Sequence, residues 1–507
     1  MLESVHWHRG LSIKELGRRL LSAPMLVALL LLVGGILLAR YFVLPPLVAE
    51  VALCLLVGVG WFSKHRAVSW GYAAVALLML GYVIVEYRTP CASLPYDTVV
   101  EMEVDVVGIP TKKEGYSVAE GRILRWREQE AWQRADDKVQ LWLRTDSIGA
   151  GDRVAVWGEL REQMSRYEEY DALLRSRGYV GGVSISDVNI VTTNAEVHRT
   201  LHQRAVAKLE RYATDSLSHA TVEAMVAGTR HAMPKALREA YADTGLAHLL
   251  AVSGLHLGIV AMVVMALLMP LRLLHRGHRV ANVVVIVAIW AFAAMSGMSA
   301  SVVRAAIMLS MLQLARLTSS VSNSVNILAV TLFAMLVYRP SYLYDISFQL
   351  SALAVAGILL WGVPLIRAIG ARGWMLRAVT STIVVGVVAT LWILPVVSHT
   401  FGNLPLAGVV ITPVVMLFAY VIVGAGLFAI ILPGPLAMPF AVVAERCAGL
   451  QNSVVMWAAE RGFTGVEYAM SDGGVAVCYA LFVAITIVVW SIYRKKVVTL
   501  PKYVNQE

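Results

Sequence analysis

Apolar residues run almost unbroken through PMLVALLLLVGGILLA (24–39), PLVAEVALCLLVGVGWFS (46–63) and AVSWGYAAVALLMLGYVIV (67–85). Each run approaches the roughly 20 residues that cross a bilayer as a helix. Between 97 and 195 the pattern changes. TVVEMEVDVVG alternates, GRIL and KVQLWLRT have strand character, and GDRVAVWGEL is a strand entered through a Gly-Asp turn. YEEYDALLRSRGYVGGVSI then returns through a short helix to a further strand. Several short strands in about 100 residues predict a small β-barrel or sandwich. Residues 197–243 are helical without a full apolar run, which suits the outer membrane surface. Apolar runs resume at 245–270, 281–297, 300–317, 324–338, 343–363, 379–398, 405–431 and 474–492, while 436–459 reads as a further crossing or an interfacial helix.

Composition agrees with this pattern. Of 507 residues, 58% are hydrophobic and 15% charged, where a soluble domain is about half apolar and a quarter charged. The fold class expected is a polytopic α-helical membrane protein with an inserted extracytoplasmic small β-barrel domain. Pro24–Ala39 is followed by more spans and no A-x-A site, so a cleaved signal peptide is not expected.

The net charge of +9 is unevenly placed. Residues 86–200 hold 15 Lys and Arg against 20 Asp and Glu, leaving 28 basic and 14 acidic residues elsewhere. The basic excess therefore belongs to the membrane region and its loops, and reads as a positive-inside signal rather than a DNA-binding surface. Lys14, Arg18 and Arg19, the Lys64-His65-Arg66 loop, RLLHRGHR (272–279), Arg367, Arg372, Arg377 and RKK (494–496) fall inside under one threading. That threading puts both termini in the cytoplasm and residue 86 onward outside. Cys54, Cys91, Cys447 and Cys478 show neither CxxC spacing nor a disulfide framework.

The chemistry sits in HLLAVSGLHLGIV (248–260). On a helix Ser253 and His256 share a face, and Gly254 and Gly258 form a small-residue pair on the other. Polar groups in a membrane helix pair with neighbouring helices or line water, and both roles are open for His256. A third reading makes Ser253 and His256 the nucleophile and base of an intramembrane hydrolase. Arg304 lies within SGMSASVVRAAIMLS, where SGMSAS can break a helix and start another. Arg304 either bridges to Asp345 or meets a passing phosphate. Asp345 opens YLYDISFQLSALAV, followed by Gln349 and Ser351. Trp126, Trp132 and Trp142 are interleaved with arginines and acids, which suits a β core or an interface better than a nucleic-acid stripe.

These stretches resemble the ComEC family of competence channels. The likeness runs through GLAHLLAVSGLHLGIV (245–260), SASVVRAAIM (299–308), RPSYLYDISFQLSALAVAGIL (339–359) and LPVVSHTFGNLPLAG (394–408). VVGIP, GDRVAVWGEL and YDALLRSRGYVGGV resemble that family's OB-like domain. The resemblance implies N-terminal spans in 1–96, an OB-like domain in 97–195, a surface segment in 196–244, a channel domain in 245–493 and a cytoplasmic tail in 494–507. It implies a channel for single-stranded DNA in the inner membrane, not an enzyme, with no cofactor or metal. His248, Ser253, Gly254, His256, Arg304, Asp345, Gln349 and Ser351 occupy the matching positions and are implied to line the DNA path. The chain carries no G-x-x-x-x-G-K-[ST] loop, so a cytosolic ATP-driven motor is implied, with an external DNA receptor. No HxHxDH pattern follows the spans, so a nuclease would act in trans, and a homodimer is left open. Gly408 and Thr412 stand where the family often has Asn before a proline. A transporter of another anionic polymer or lipid intermediate is the rival reading.

Overall fold

The computed structural model describes residues 24–498, apart from internal stretches of one to five residues, the longest being 166–169, 195–199 and 318–322. The basic lead-in at 14–19, His6-Trp7-His8, Arg372, the side chains of 494–496 and the end of the tail lie outside the described residues.

Three helices come first: α1 Pro24–Leu38, α2 Pro46–Phe62 and α3 Arg66–Arg88. The prolines stand at the start of α1 and α2, where a missing N–H costs no helix bond. Gly35 of α1 lies against Leu78 O of α3, and Gly81 of α3 against Leu32 O of α1, too close for any side chain. Small residues thus set this crossing, as is usual between membrane helices.

The polar block is a curled sheet of β1 Val99–Val106, β2 Thr111–Lys113, β3 Tyr116–Arg127, β4 Gln133–Leu143, β5 Arg153–Glu159, β6 Gly181–Ile185 and β7 Ile190–Asn194. The order is β6-β4-β3-β1-β5-β7, with β2 hairpinned on β3 and only β4–β6 parallel. Past the end of β5, Arg161 and Gly182 exchange two backbone hydrogen bonds of 2.9 Å, so the sheet partly closes on itself. Alternate residues such as Met102, Val104, Val139, Leu141, Val154 and Val156 fill its inside. Trp126 belongs to that core, and Trp142 packs over Gly182. The guanidinium groups of Arg125 and Arg127 both lie against the Trp132 ring, at 4.7 and 4.9 Å from its centroid. Those arginines pair with Glu103 and Glu101, so the surface is neutralised locally rather than offering a free basic stripe.

Short helices α4 Leu201–Glu210, α5 Ser216–Val226 and α6 Lys235–Asp243 lead into the helical body. It comprises α7 Gly254–Leu267, α8 Gly277–Met295, α9 Ala300–Leu317, α10 Ser324–Tyr338, α11 Ile346–Ile369, α12 Trp374–Phe401, α13 Ala407–Ile431, α14 Met438–Glu460 and α15 Asp472–Val498. Strands β8 Asn403–Leu404 and β9 Val466–Glu467 tie the α12–α13 turn to the α14–α15 turn. A π-turn at Ile358–Gly362 interrupts α11 just before Pro364, which cannot supply a helical N–H.

Among the described residues, five helices are long and apolar enough to cross a membrane: Val68–Tyr87, Gly277–Met295, Ile346–Ile369, Met375–Phe401 and Val414–Ile431. Six further apolar helices are shorter. The chain is a multi-pass membrane protein. α14 is not among those candidates; its Ala441, Ala444, Ala448 and Val455 are buried, and it packs on α13 and α5.

Candidate functional site

The histidine-serine stretch does not form one helix from 245. Gly245 turns with φ +76, a 3-10 turn covers Ala247–Leu249, and α7 starts only at Gly254. Ser253 is the extended residue ahead of the helix, with φ −124 and ψ 175. Its backbone N–H donates to His256 Nδ1 at 2.9 Å, so the imidazole caps the helix in the way Glu or Gln does in a capping box. Ser253 Oγ is farther from the same nitrogen, at 3.5 Å. With Nδ1 accepting from the backbone, the ring's proton belongs on Nε2. That nitrogen is buried and has no hydrogen-bond partner.

This geometry bears on the hydrolase reading. A general base must take the hydroxyl proton with a free lone pair, and the Nδ1 lone pair is already engaged by a backbone donor. His248 is separate from this cap: it is exposed in the 3-10 turn, with Nδ1 3.1 Å from Gly245 O. The small-residue pair is half realised. A Cβ on Gly254 would meet Ala305 Cβ of α9 at 3.3 Å, whereas Gly258 has open space around it.

α9 is the element that joins the matching stretches. SGMSAS breaks the chain between α8 and α9, with Gly297 at φ +82 and Met298 at φ +53. α9 then packs on α7 at one side and on α11 at the other. Arg304, one turn into α9, is 1% exposed. Its Nη2 donates to Ser301 Oγ at 3.2 Å, and its Cζ lies 5.8 Å from the Phe348 ring centroid. Nη1 is buried without a partner. Leaving such a donor unmet costs about 1–3 kcal/mol or more.

Asp345 is near enough to act on Arg304 electrostatically, but it makes no direct ion pair with it. Oδ1 of Asp345 accepts the Phe348 N–H at 3.1 Å and caps α11. Oδ2 faces Arg177 Nε of the β-rich domain at 3.6 Å. Of the two roles open to Arg304 in the sequence, the direct bridge to Asp345 is not formed; the Asp345 carboxylate faces the β-rich domain instead. Gln349 Nε2 donates to Leu343 O at 2.8 Å, closing the turn before α11, and Ser351 is half-buried on the same helix.

Arg177 is held in place from both sides. Arg339 Nη1 donates to its carbonyl at 3.2 Å, and Gly178, at φ +83, is the residue that lets the Arg339 side chain approach. Next in the chain, the Tyr179 hydroxyl donates to Glu120 Oε2 at 3.0 Å, under Lys138 at 4.3 Å from its ring. Burial pushes that phenol well above its usual range, with the Glu120 charge adding to the effect. A second tie is Gln203 Nε2 of α4 donating to Val107 O at 3.1 Å.

Two more residues complete the surroundings. Arg230 Nε donates to Leu250 O at 3.1 Å within the motif. Gly408, at the start of α13, lies so close to Thr244 O that an added Cβ would stand 3.0 Å from it. Sequence reading passed over Arg177 and Arg230, because nothing local ties either to the motif they support. Among the described residues, no group of three or more His, Cys, Asp or Glu is arranged to hold a metal ion.

The family model described as "Competence protein" matches residues 225–495, from the end of α5 into α15. Neither the curated proteins nor the solved structures gave a match. The match takes in the cap at Ser253, Arg304 and Asp345, and covers more than half of the chain: this protein belongs to the competence protein family.

Proposed function

We propose that the chain is an inner-membrane channel that passes single-stranded DNA into the cytoplasm. Membership of the competence family ties it to DNA uptake. The observation that carries the finer reading is Arg304, a buried guanidinium whose Nη1 donor has no acceptor among the described residues. A phosphate backbone is an acceptor matched to that need, and guanidinium–phosphate hydrogen bonds are among the strong ones. His256 Nε2 is a second buried donor of the same kind. Asp345 would repel an anion, and its engagement by Arg177 and the α11 cap reduces that repulsion.

In this reading His248, Ser253, Gly254, His256, Arg304, Asp345, Gln349 and Ser351 border the path, with 245–493 as the channel domain and 1–96 as supporting spans. The curled sheet of 97–195 is an OB-like domain outside the cytoplasm, the surface segment 196–244 links it to the channel, and both termini lie inside. A cytosolic ATP-driven motor, an outer DNA receptor and a nuclease in trans are its partners, and catalysis is not part of its role.

The test is entry of labelled DNA into the cytoplasm of a deletion strain, complemented with the wild-type chain. Loss of entry restored by the chain supports the reading. Normal entry in the deletion strain, accompanied by an envelope defect, replaces DNA with another anionic cargo.

A further inference from the structure

α5 and α14 meet along a polar seam away from the residues above. α5 contributes His219, Thr221 and Glu223, and α14 contributes Glu445, Gln451 and Asn452, all of them buried. At one end the seam is closed by hydrogen bonds. The hydroxyls of Tyr241 and Thr221 both donate to Asn452 Oδ1, at 2.9 and 3.0 Å, and Gln451 Nε2 donates to the Tyr241 oxygen at 2.9 Å.

The other end holds three ionisable groups. Glu445 accepts the Thr214 N–H at 3.1 and 3.2 Å on its two oxygens, the Thr214 hydroxyl, and His219 Nδ1 at 3.1 Å. Nδ1 facing a carboxylate carries a hydrogen, so the neutral ring presents the Nε2 lone pair on its far side. There it meets Glu223 Oε1 at 3.9 Å, and neither atom has a hydrogen-bond partner. Glu223 is 1% exposed. Two buried unmet polar atoms at this separation are each costly, and a proton between them offsets both costs.

We infer that His219 and Glu223 form a proton-binding site, holding one exchangeable proton between Nε2 and Oε1 beside the Glu445 carboxylate. Closing the gap by about 1 Å brings the pair to hydrogen-bond distance. In the exchange the Oε1–H bond breaks and an H–Nε2 bond forms. Glu223 becomes a carboxylate and His219 an imidazolium, stabilised by Glu445 on its Nδ1–H. No co-reactant beyond the proton is required.

Charged groups stand on the elements packed around the pair. On α4, Glu210 acts on Glu223 directly, while the Lys208 ammonium is bound to the carbonyls of Ile430 and Leu432. Arg446 of α14 acts on Asp215, which caps α5 through Ser218. α13, also packed on α5, carries Tyr420 as its sole titratable residue. On α6, Lys235 and Glu239 face each other in solvent at 3.6 Å, with Arg238 and Asp243 on the same helix. α5, with 11 residues, is not a candidate span. Burial, reinforced by Glu210, pushes the Glu223 carboxyl up to about 7.

The experiment is infrared difference spectroscopy of the full chain in lipid nanodiscs, titrated across neutral pH without DNA. The expected result is a protonated-carboxyl stretch that persists at neutral pH, titrates there, and disappears in Glu223→Gln. Absence of the band, or its survival in Glu223→Gln, overturns the site. If Glu223→Gln does not assemble, wild-type protein labelled with carbon-13 at its glutamate carboxyls decides the matter, since an unshifted or missing band also overturns it. The readout involves no transport, so it stands apart from the channel proposal.

Discussion

Arg177 Nε lies 3.6 Å from Asp345 Oδ2, joining the β-rich domain to the first turn of α11. Asp345 is buried while Arg177 is half-exposed, so the two residues are not equivalent partners. Removing Arg177 forfeits a part-exposed ion pair, on the order of 1 kcal/mol or less. Removing the Asp345 carboxyl also strips the α11 cap, at about 0.5–2 kcal/mol. Thermal unfolding of the full chain should therefore rank Asp345→Ala below Arg177→Ala. Asp345→Asn, which keeps an oxygen for the Phe348 N–H, should fall close to Arg177→Ala. Equal losses for Asp345→Ala and Asp345→Asn would show that the cap contributes nothing.

Arg304 separates a transport role from a structural one. Its Nη1 has no acceptor among the described residues, so Arg304→Met replaces a poorly paired buried charge with an apolar chain of similar reach. The unfolding midpoint should hold or rise. DNA entry should fall by about tenfold or more, the equivalent of one lost charge-assisted hydrogen bond, and Arg304→Lys should recover only part of it, because an ammonium lacks the planar fork. Normal entry with correctly inserted Arg304→Met would remove Arg304 from the path.

The cap at α7 makes an unequal prediction for its two side chains. Ser253→Ala keeps the backbone N–H that reaches His256 Nδ1 and loses only the 3.5 Å hydroxyl contact. Its DNA entry should stay within about twofold of wild type, under 1 kcal/mol. His256→Ala removes the cap and leaves a cavity in a fully buried position, so its midpoint should drop clearly. A collapse of activity in well-assembled Ser253→Ala would instead favour the nucleophile.

Hydropathy located all five helices that, among the described residues, are long and apolar enough to cross a membrane, because lipid requires long apolar runs whatever their partners. It misplaced the start of α7, since Leu249, Leu250 and Val252 are as apolar ahead of the helix as Leu255 and Leu257 are within it. A cap made by a histidine leaves no hydropathy trace, though Ser253 and His256 at the spacing of a capping box were there to be read. The Arg177–Asp345 contact joins residues 168 positions apart and has no local signature. The α5–α14 seam was better signposted: His219 and Glu223 one turn apart, and Glu445, Gln451 and Asn452 in a mostly apolar helix, mark polar faces that must meet something.

Glu223 makes stability itself depend on pH. Its carboxyl titrates at about 7 in the folded chain against an ordinary value of 4.5, through burial first and Glu210 second. The folded state therefore holds a proton that the unfolded state has released between those values. The stabilisation from this group is complete below 4.5 and is lost as pH rises through about 7. Above that range it stays lost, so this group adds no further slope. In nanodiscs, the wild-type unfolding midpoint should decline from about pH 5 to about pH 8. Glu223→Gln, neutral at every pH and able to donate to His219 Nε2, should flatten that decline and exceed wild type at the alkaline end. A Glu223→Gln curve parallel to wild type would assign the titration to some other group.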